Sequence, residues 1–192
     1  IMGMWLLQEC SRNWKEQGKN YSYSDMVKMA GNAESMKYLV NPNNSKFFEP
    51  CDMPAKLREY CRETGQGEMG DDGAVVRCVL DSLAICFKMK TAELQKITGV
   101  EYEVLHMVGG GCQNKLLMQL SADALGIPVL AGPVEATAIG NIMSQGMADG
   151  RLKSLKDGRE LVKVSFPVDA YMPRKEQMEL SVKNFERFRK LP

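Results

Sequence analysis

The 192-residue chain holds a single histidine, and none of its six cysteines, at 10, 51, 61, 78, 86 and 112, forms a CxxC pair. Zinc sites are built from such clusters, so a zinc site is not expected. No apolar run reaches the roughly 18–20 residues that a membrane span needs. The opening IMGMWLLQEC lacks the basic start and small-residue cleavage site of a secretory signal. Net charge is only +1; a nucleic-acid binder needs a concentrated basic surface, and none is evident. There is no internal repeat and no low-complexity tract. Six scattered thiols fit a reducing cytoplasm, although Cys61 and Cys78 flank a Gly-rich loop and are placed to meet across it.

What is present is enough for one domain with a sizeable core: 44% of residues are apolar. The last forty-odd residues carry eleven Lys/Arg against six Asp/Glu. Acids interleave with those bases, which predicts a solvated helix face. Ile1, Met4, Trp5 and Gln8 recur at helical spacing with no capping residue before them. That pattern predicts a helix over 1–17, already under way before Ile1, in a chain that is a piece of a longer protein.

Ser24 is the expected cap of a second helix, out to about Ala33. The Asn/Pro clusters of LVNPNNSKFFEPCDMP, Leu39–Pro54, predict a loop with a short strand. A short helix follows, with Pro54 in its first turn, where a missing N–H costs nothing. After the turn Gly65–Gly73, Asp71 or Asp72 caps a longer helix. Its stripe is Val76, Val79, Leu80, Leu83 and Phe87, and it stops at Gly99.

The informative third comes next. Glu103–Val108 is nearly all apolar and reads as a strand buried on both faces, which would make His106 a satisfied structural histidine rather than a general base. Gly109, Gly110 and Gly111 end it. Asn114–Gly126 is helical, with Leu116, Leu117, Leu120 and Ala124 inward. Ile127–Gly132 is a second strand. Pro133–Gly150 is another helix, its stripe Ala136, Ile139, Gly140, Met143 and Met147, with Gly140 and Gly146 allowing close backbone approach. Strand, loop, helix, strand and helix in this order imply a parallel pair with a right-handed crossover. Residues 154–165 and 174–190 complete an α/β fold as two further helices, joined by the connector FPVDAYMPR.

In an open parallel sheet, ligands bind beyond the carboxyl ends of the strands, where the three glycines lie. Without Cβ atoms they let a ring or phosphate approach the backbone, and the helix start that follows favours anions. Asn114 offers a donor and an acceptor that suit an adenine edge. The tract is neither GxxxxGK[ST] nor GxGxxG. On these residues alone, a nucleotide loop and a merely tight turn both remain open. Cys112 stands at a helix start but has no second histidine to activate it as a nucleophile. Glu135, in the first turn of its helix, either opposes the helix dipole or shapes the nucleotide pocket.

Taken together, LHMVGGGCQNKLLMQLSADALGIPVLAGPVEATAIGNIMSQGMADG resembles the C-terminal signature of the FGGY carbohydrate kinases. IMGMWLLQE, NPNNSKFFEP and VRCVLDSLA are similar to segments of that family in the same order, and the tail after Gly150 only loosely so. The resemblance implies a single, partial C-terminal actin-like ATPase (ribonuclease H-like) domain spanning 1–192 and incomplete at its N-terminal side. ATP and Mg²⁺ are the implied cofactors. Gln8, Gly110, Gly111 and Asn114 are the implied nucleotide contacts. The sugar-contacting asparagine and the catalytic aspartate would lie upstream, so that no catalytic or metal-binding residue is expected in this chain. The implied reaction is transfer of the ATP γ-phosphoryl to the 1-hydroxyl of L-rhamnulose in the cytoplasm, with no nucleic-acid or membrane partner. A family member acting on fuculose, xylulose or glycerol, and a non-catalytic actin-like nucleotide module, are the alternatives. Asn43 and Asn44 stand where the family often has acids, which leaves the role of the Asn41–Pro50 loop open.

Overall fold

A computed structural model describes residue 1 and residues 3–192. The centre of the molecule is α4 (Asp72–Thr98). Asp71 caps it by accepting the Ala74 N–H at 2.8 Å, and Gly99 ends it in the left-handed conformation, φ 69°. The sequence shows one apolar stripe on this helix, but residues Val75–Cys86 are buried nearly all round. The reason is crowding: α2 (Tyr23–Asn32), α3 (Met53–Glu63), α5 (Lys115–Leu125) and α8 (Lys175–Arg189) all pack against it, as does α1 (Trp5–Glu16). A helix enclosed in this way needs apolar residues on every side.

The sheet has three strands in the order β1 (Leu105–Met107), β2 (Val129–Ala131), β3 (Asp169–Tyr171). β1 and β2 are parallel, Leu105 opposite Val129 and Met107 opposite Ala131, with α5 as the crossover. β3 runs antiparallel to β2, placing Tyr171 against Val129. It lies inside the stretch that reads as a plain connector. Three residues bracketed by prolines are too few for alternation to show. The remaining helices are α6 (Ala136–Ala148) and α7 (Leu155–Ser165).

Several local expectations are corrected. The first helix begins at Trp5 rather than before Ile1; Gly3, at φ 59°, breaks the helical path ahead of Met4. Ser22, not Ser24, caps α2. Its Oγ accepts the Asp25 N–H at 3.1 Å while the Asp25 carboxylate accepts the Ser22 N–H at 2.9 Å, a reciprocal box that Ser24 cannot form. Among the described residues, Leu39–Pro54 holds no strand. A 3₁₀ turn at Ser45–Phe47 stands there, capped by Asn44 through the Lys46 N–H and tied to α1 by the Trp5 indole N–H donating to the Phe47 carbonyl. All six cysteines are free thiols. Cys61 and Cys78 do meet, but as hydrogen-bonded buried thiols, and burial first of all pushes the Cys78 thiol well up. The basic tail is not solvated throughout. The Arg174 guanidinium pairs with the buried Asp123 carboxylate at 2.6 Å, and Arg187 donates to the Met36 carbonyl, docking α8 onto the body.

Asp81 and Asp72 are two of the carboxylates buried with cationic partners. Asp81 pairs with Arg77 at 2.9 Å and accepts the Met36 N–H at 2.6 Å. Replacing Arg77 by Met leaves that carboxylate unpaired, and should lower unfolding free energy by about 3 kcal/mol in a urea titration; a loss below about 1 kcal/mol contradicts this. Asp72 accepts from Lys19 at 2.7 Å and from Arg58 at 2.8 Å. Burial raises its carboxyl, but those two partners outweigh burial and hold it below the ordinary value. Such a group stabilises the fold fully above its unfolded pKa, about 3.9, and the contribution is lost as pH falls through the lower folded value. Stability followed by circular dichroism should therefore drop from about pH 4 downward more steeply in the wild type than in Asp72→Asn. Parallel curves contradict the ion-pair role.

Candidate functional site

The site is built where β1 and β2 end. Gly109 leaves β1 at φ 85°, a conformation that a side chain rarely tolerates. Gly110–Gln113 then form one 3₁₀ turn, and Asn114 opens α5. Gly110 and Gly111 are the first residues of that turn, so their N–H groups have no partner within it. A Cβ on Gly110 would meet nothing within 4 Å, whereas one on Gly111 would lie 3.8 Å from Cγ of Met4, just ahead of α1. The second glycine thus faces open space, and the third lies against the protein.

Asn114 is 8% exposed and has a divided side chain. Its Oδ1 accepts the Leu117 N–H at 3.0 Å, which caps α5. Its Nδ2 is buried and has no hydrogen-bond partner among the described residues. A buried donor left so is costly, and a polar ligand lying against it would relieve that cost. Gln8 is exposed on α1, one turn beyond Met4, to whose carbonyl its N–H donates at 3.0 Å. Gly110, Gly111 and Asn114 therefore form one cradle with the start of α1 beside it, and Gln8 stands further along that helix.

The other candidates do not join the cradle. Cys112 is 7% exposed, and burial first of all pushes its thiol up, which keeps it protonated and poorly nucleophilic. Glu135 occupies the position before α6 but makes no side-chain capping bond. His106 is exposed, contrary to its expected burial. Leu105 and Met107 pack on the core, but the alternate residue points to the opposite face of the sheet. That face is not closed: α6 and α7 leave a groove of about 880 Å³ lined by His106, Leu130, Ile139, Met143 and Val168. The same openness corrects two further expectations. α6 buries none of its residues among those described, and a Cβ on Gly140 would meet nothing within 4 Å, so Gly140 makes no close approach. Gly146 meets only the Leu152 side chain, at 3.4 Å. Asn43 and Asn44 serve their own loop. The Asn43 N–H donates to Asn41 Oδ1 and its Nδ2 to Cys86 Sγ, at 3.1 and 3.7 Å.

One feature of the site goes unnoticed when the sequence is read for motifs. The Gly109 N–H donates to the Pro133 carbonyl at 3.1 Å, and the Gly132 N–H donates to the Met107 carbonyl at 2.8 Å. The loops after the two parallel strands are thereby fastened together. The signal was a glycine directly after the second strand, one residue nearer its strand end than the triplet is to the first.

Comparisons with known proteins agree with this architecture. Residues 1–148 match the C-terminal domain of the FGGY family of carbohydrate kinases. The rhamnulokinase of Bacteroides thetaiotaomicron is 41% identical over 174 residues, covering 91% of this chain and 35% of that protein. The rhamnulokinase of Enterococcus faecalis is 39% identical over 173 residues, with 89% and 34% covered. That of Halalkalibacterium halodurans is 39% identical over 172 residues, with 90% and 36% covered. The chain thus spans about a third of the length of the curated relatives it matches. Among solved structures, the xylulose kinase of Rhodospirillum rubrum superposes with a TM-score of 0.62 at 18% identity, over 96% of this chain and 36% of that one, a likeness of fold alone.

Asn114 separates folding from ligand contact. Asn114→Ala removes the cap and should cost about 1 kcal/mol in a urea titration, whereas Asn114→Asp keeps a capping oxygen and should cost less. Equal losses would show that the cap is not what the side chain contributes.

Proposed function

The chain belongs to the FGGY family of carbohydrate kinases, and from that premise we propose that it is the ATP-holding part of a rhamnulokinase. The reaction is transfer of the γ-phosphoryl of ATP to the 1-hydroxyl of L-rhamnulose, in the cytoplasm. Three relatives bearing that name, each near 40% identical over about nine-tenths of this chain, support the choice of sugar. The observation that carries the ATP reading is the pairing of open space over Gly110 with the orphaned Asn114 Nδ2.

The residues present fit such a ligand. Gly110 admits a flat ring or phosphate against bare backbone, and the N–H groups of Gly110 and Gly111, which have no partner within their turn, can donate to it. Asn114 Nδ2 would complete its hydrogen bonding on an acceptor of the nucleotide. Gln8 would approach from α1. The Mg²⁺ that accompanies phosphoryl transfer supplies charge neutralisation on the phosphates. Among the described residues no group of three or more His, Cys, Asp and Glu side chains is placed to hold it; in this reading its protein ligands would come from outside this chain. The group that takes the hydroxyl proton also lies upstream, with the sugar site. What this chain does is bind and orient the phosphoryl donor, which matters because transfer requires donor and acceptor held in line.

Two outcomes test the proposal. This chain by itself should give no ADP release dependent on L-rhamnulose in a coupled assay; robust release contradicts the placement of sugar and base elsewhere. In the full-length protein, Gly110→Val should raise KM for ATP far more than KM for the sugar. A Cβ there clears the protein, so the substitution acts on the ligand rather than on the fold. An unchanged KM for ATP removes Gly110 from the site.

A further inference from the structure

Gly132 lies just past β2, at φ 123°. A Cβ built on it would stand 2.9 Å from the Pro167 carbonyl oxygen, so backbone conformation and space both demand glycine. Its N–H is held by the Met107 carbonyl at 2.8 Å, which fixes the first peptide after β2 against the last residue of β1. The next carbonyl, that of Pro133, accepts the Gly109 N–H at 3.1 Å. Gly109 is the residue from which the open turn at Gly110 and Gly111 departs. The direction of the glycine turn is therefore set from two sides: by β1 behind it, and by a carbonyl that Gly132 alone can present. The wall confining Gly132 is the Pro167 segment, which leads into β3, so all three strands contribute to the setting.

From this geometry we infer that Gly132 is a positioning residue for the nucleotide, acting through the Pro133 carbonyl on Gly109 and so on the donors of Gly110 and Gly111. It touches no ligand itself. The inference rests on the ATP reading of the glycine turn and extends the working site to a second loop. It also assigns a task to a stretch whose glycine and proline serve in neither strand nor helix.

In the full-length protein, Gly132→Ala forces a Cβ onto the Pro167 carbonyl and displaces the Pro133 acceptor. KM for ATP should rise about tenfold, the scale of one misdirected hydrogen bond, while KM for L-rhamnulose and kcat stay within about twofold of wild type. A merely structural role would damage both substrates' parameters together, so parallel losses, or an unchanged KM for ATP, overturn the inference. Should the variant fail to fold, hydrogen exchange in the wild type decides. Added ADP should slow exchange in segments 106–112 and 130–134 together, and slowing confined to the first overturns the coupling. Gly110→Val separates the two levels. A raised KM for ATP there with none in Gly132→Ala sinks only the positioning role, whereas no rise in either sinks the nucleotide reading itself.

Discussion

The glycine turn depends on two backbone hydrogen bonds that continue the β1–β2 pairing past the ends of the strands, Gly132 to Met107 and Gly109 to Pro133. Parallel strands three residues long give little pairing energy of their own. What holds them is α5, which closes the crossover and lies flat against α4. The long helix is in turn enclosed by helices from both halves of the chain. This stack converts apolar burial into a fixed position for two loop ends, and the two hydrogen bonds pass that position on to the glycine turn.

The turn itself illustrates how one side chain can cap a helix and keep a donor in reserve. Asn114 spends its oxygen on the start of α5 and leaves its amide without a partner among the described residues. An aspartate would cap as well but offer no donor, and an alanine would not cap at all; the asparagine amide supplies a cap and a spare N–H₂ donor together. Gly110 faces open space, whereas a Cβ on Gly111 would touch the Met4 side chain at 3.8 Å. Open space beside a buried donor is what sets this turn apart from a plain tight turn. The groove beneath His106 is of a different kind: its lining is mostly apolar, with His106, Arg159, Glu160 and Lys163 as the polar members.

Much of this was legible in the sequence, for identifiable reasons. The long helix was readable because an Asp cap, a 3.6-residue stripe and a terminal glycine all agree at Asp71, Val76–Leu83 and Gly99. The parallel pair and its crossover were readable from two apolar runs flanking a helix bounded by Asn114 and Gly126. Gly109–Gly111 and Asn114 stood out by their place at a strand end and a helix start, but those residues left a tight turn equally open, and the proposal that Gly110 and Asn114 meet a nucleotide came from the family resemblance. β3 was not legible, since three residues between prolines carry no periodicity. The exposure of His106 was not legible either, because a strand's apolar neighbours do not reveal which face its partners cover. The clamp at Gly132 depends on a contact with Pro167, 35 residues distant in the chain by the numbering, and no local pattern encodes such a contact.

The most direct test of the central claim is a structure of the full-length protein with a non-hydrolysable ATP analogue. The nucleotide is predicted to lie over Gly110 within van der Waals contact, with Asn114 Nδ2 at hydrogen-bonding distance from one of its acceptors. An analogue seated elsewhere, in the groove beside His106 for instance, with Asn114 Nδ2 still unpartnered, would contradict it.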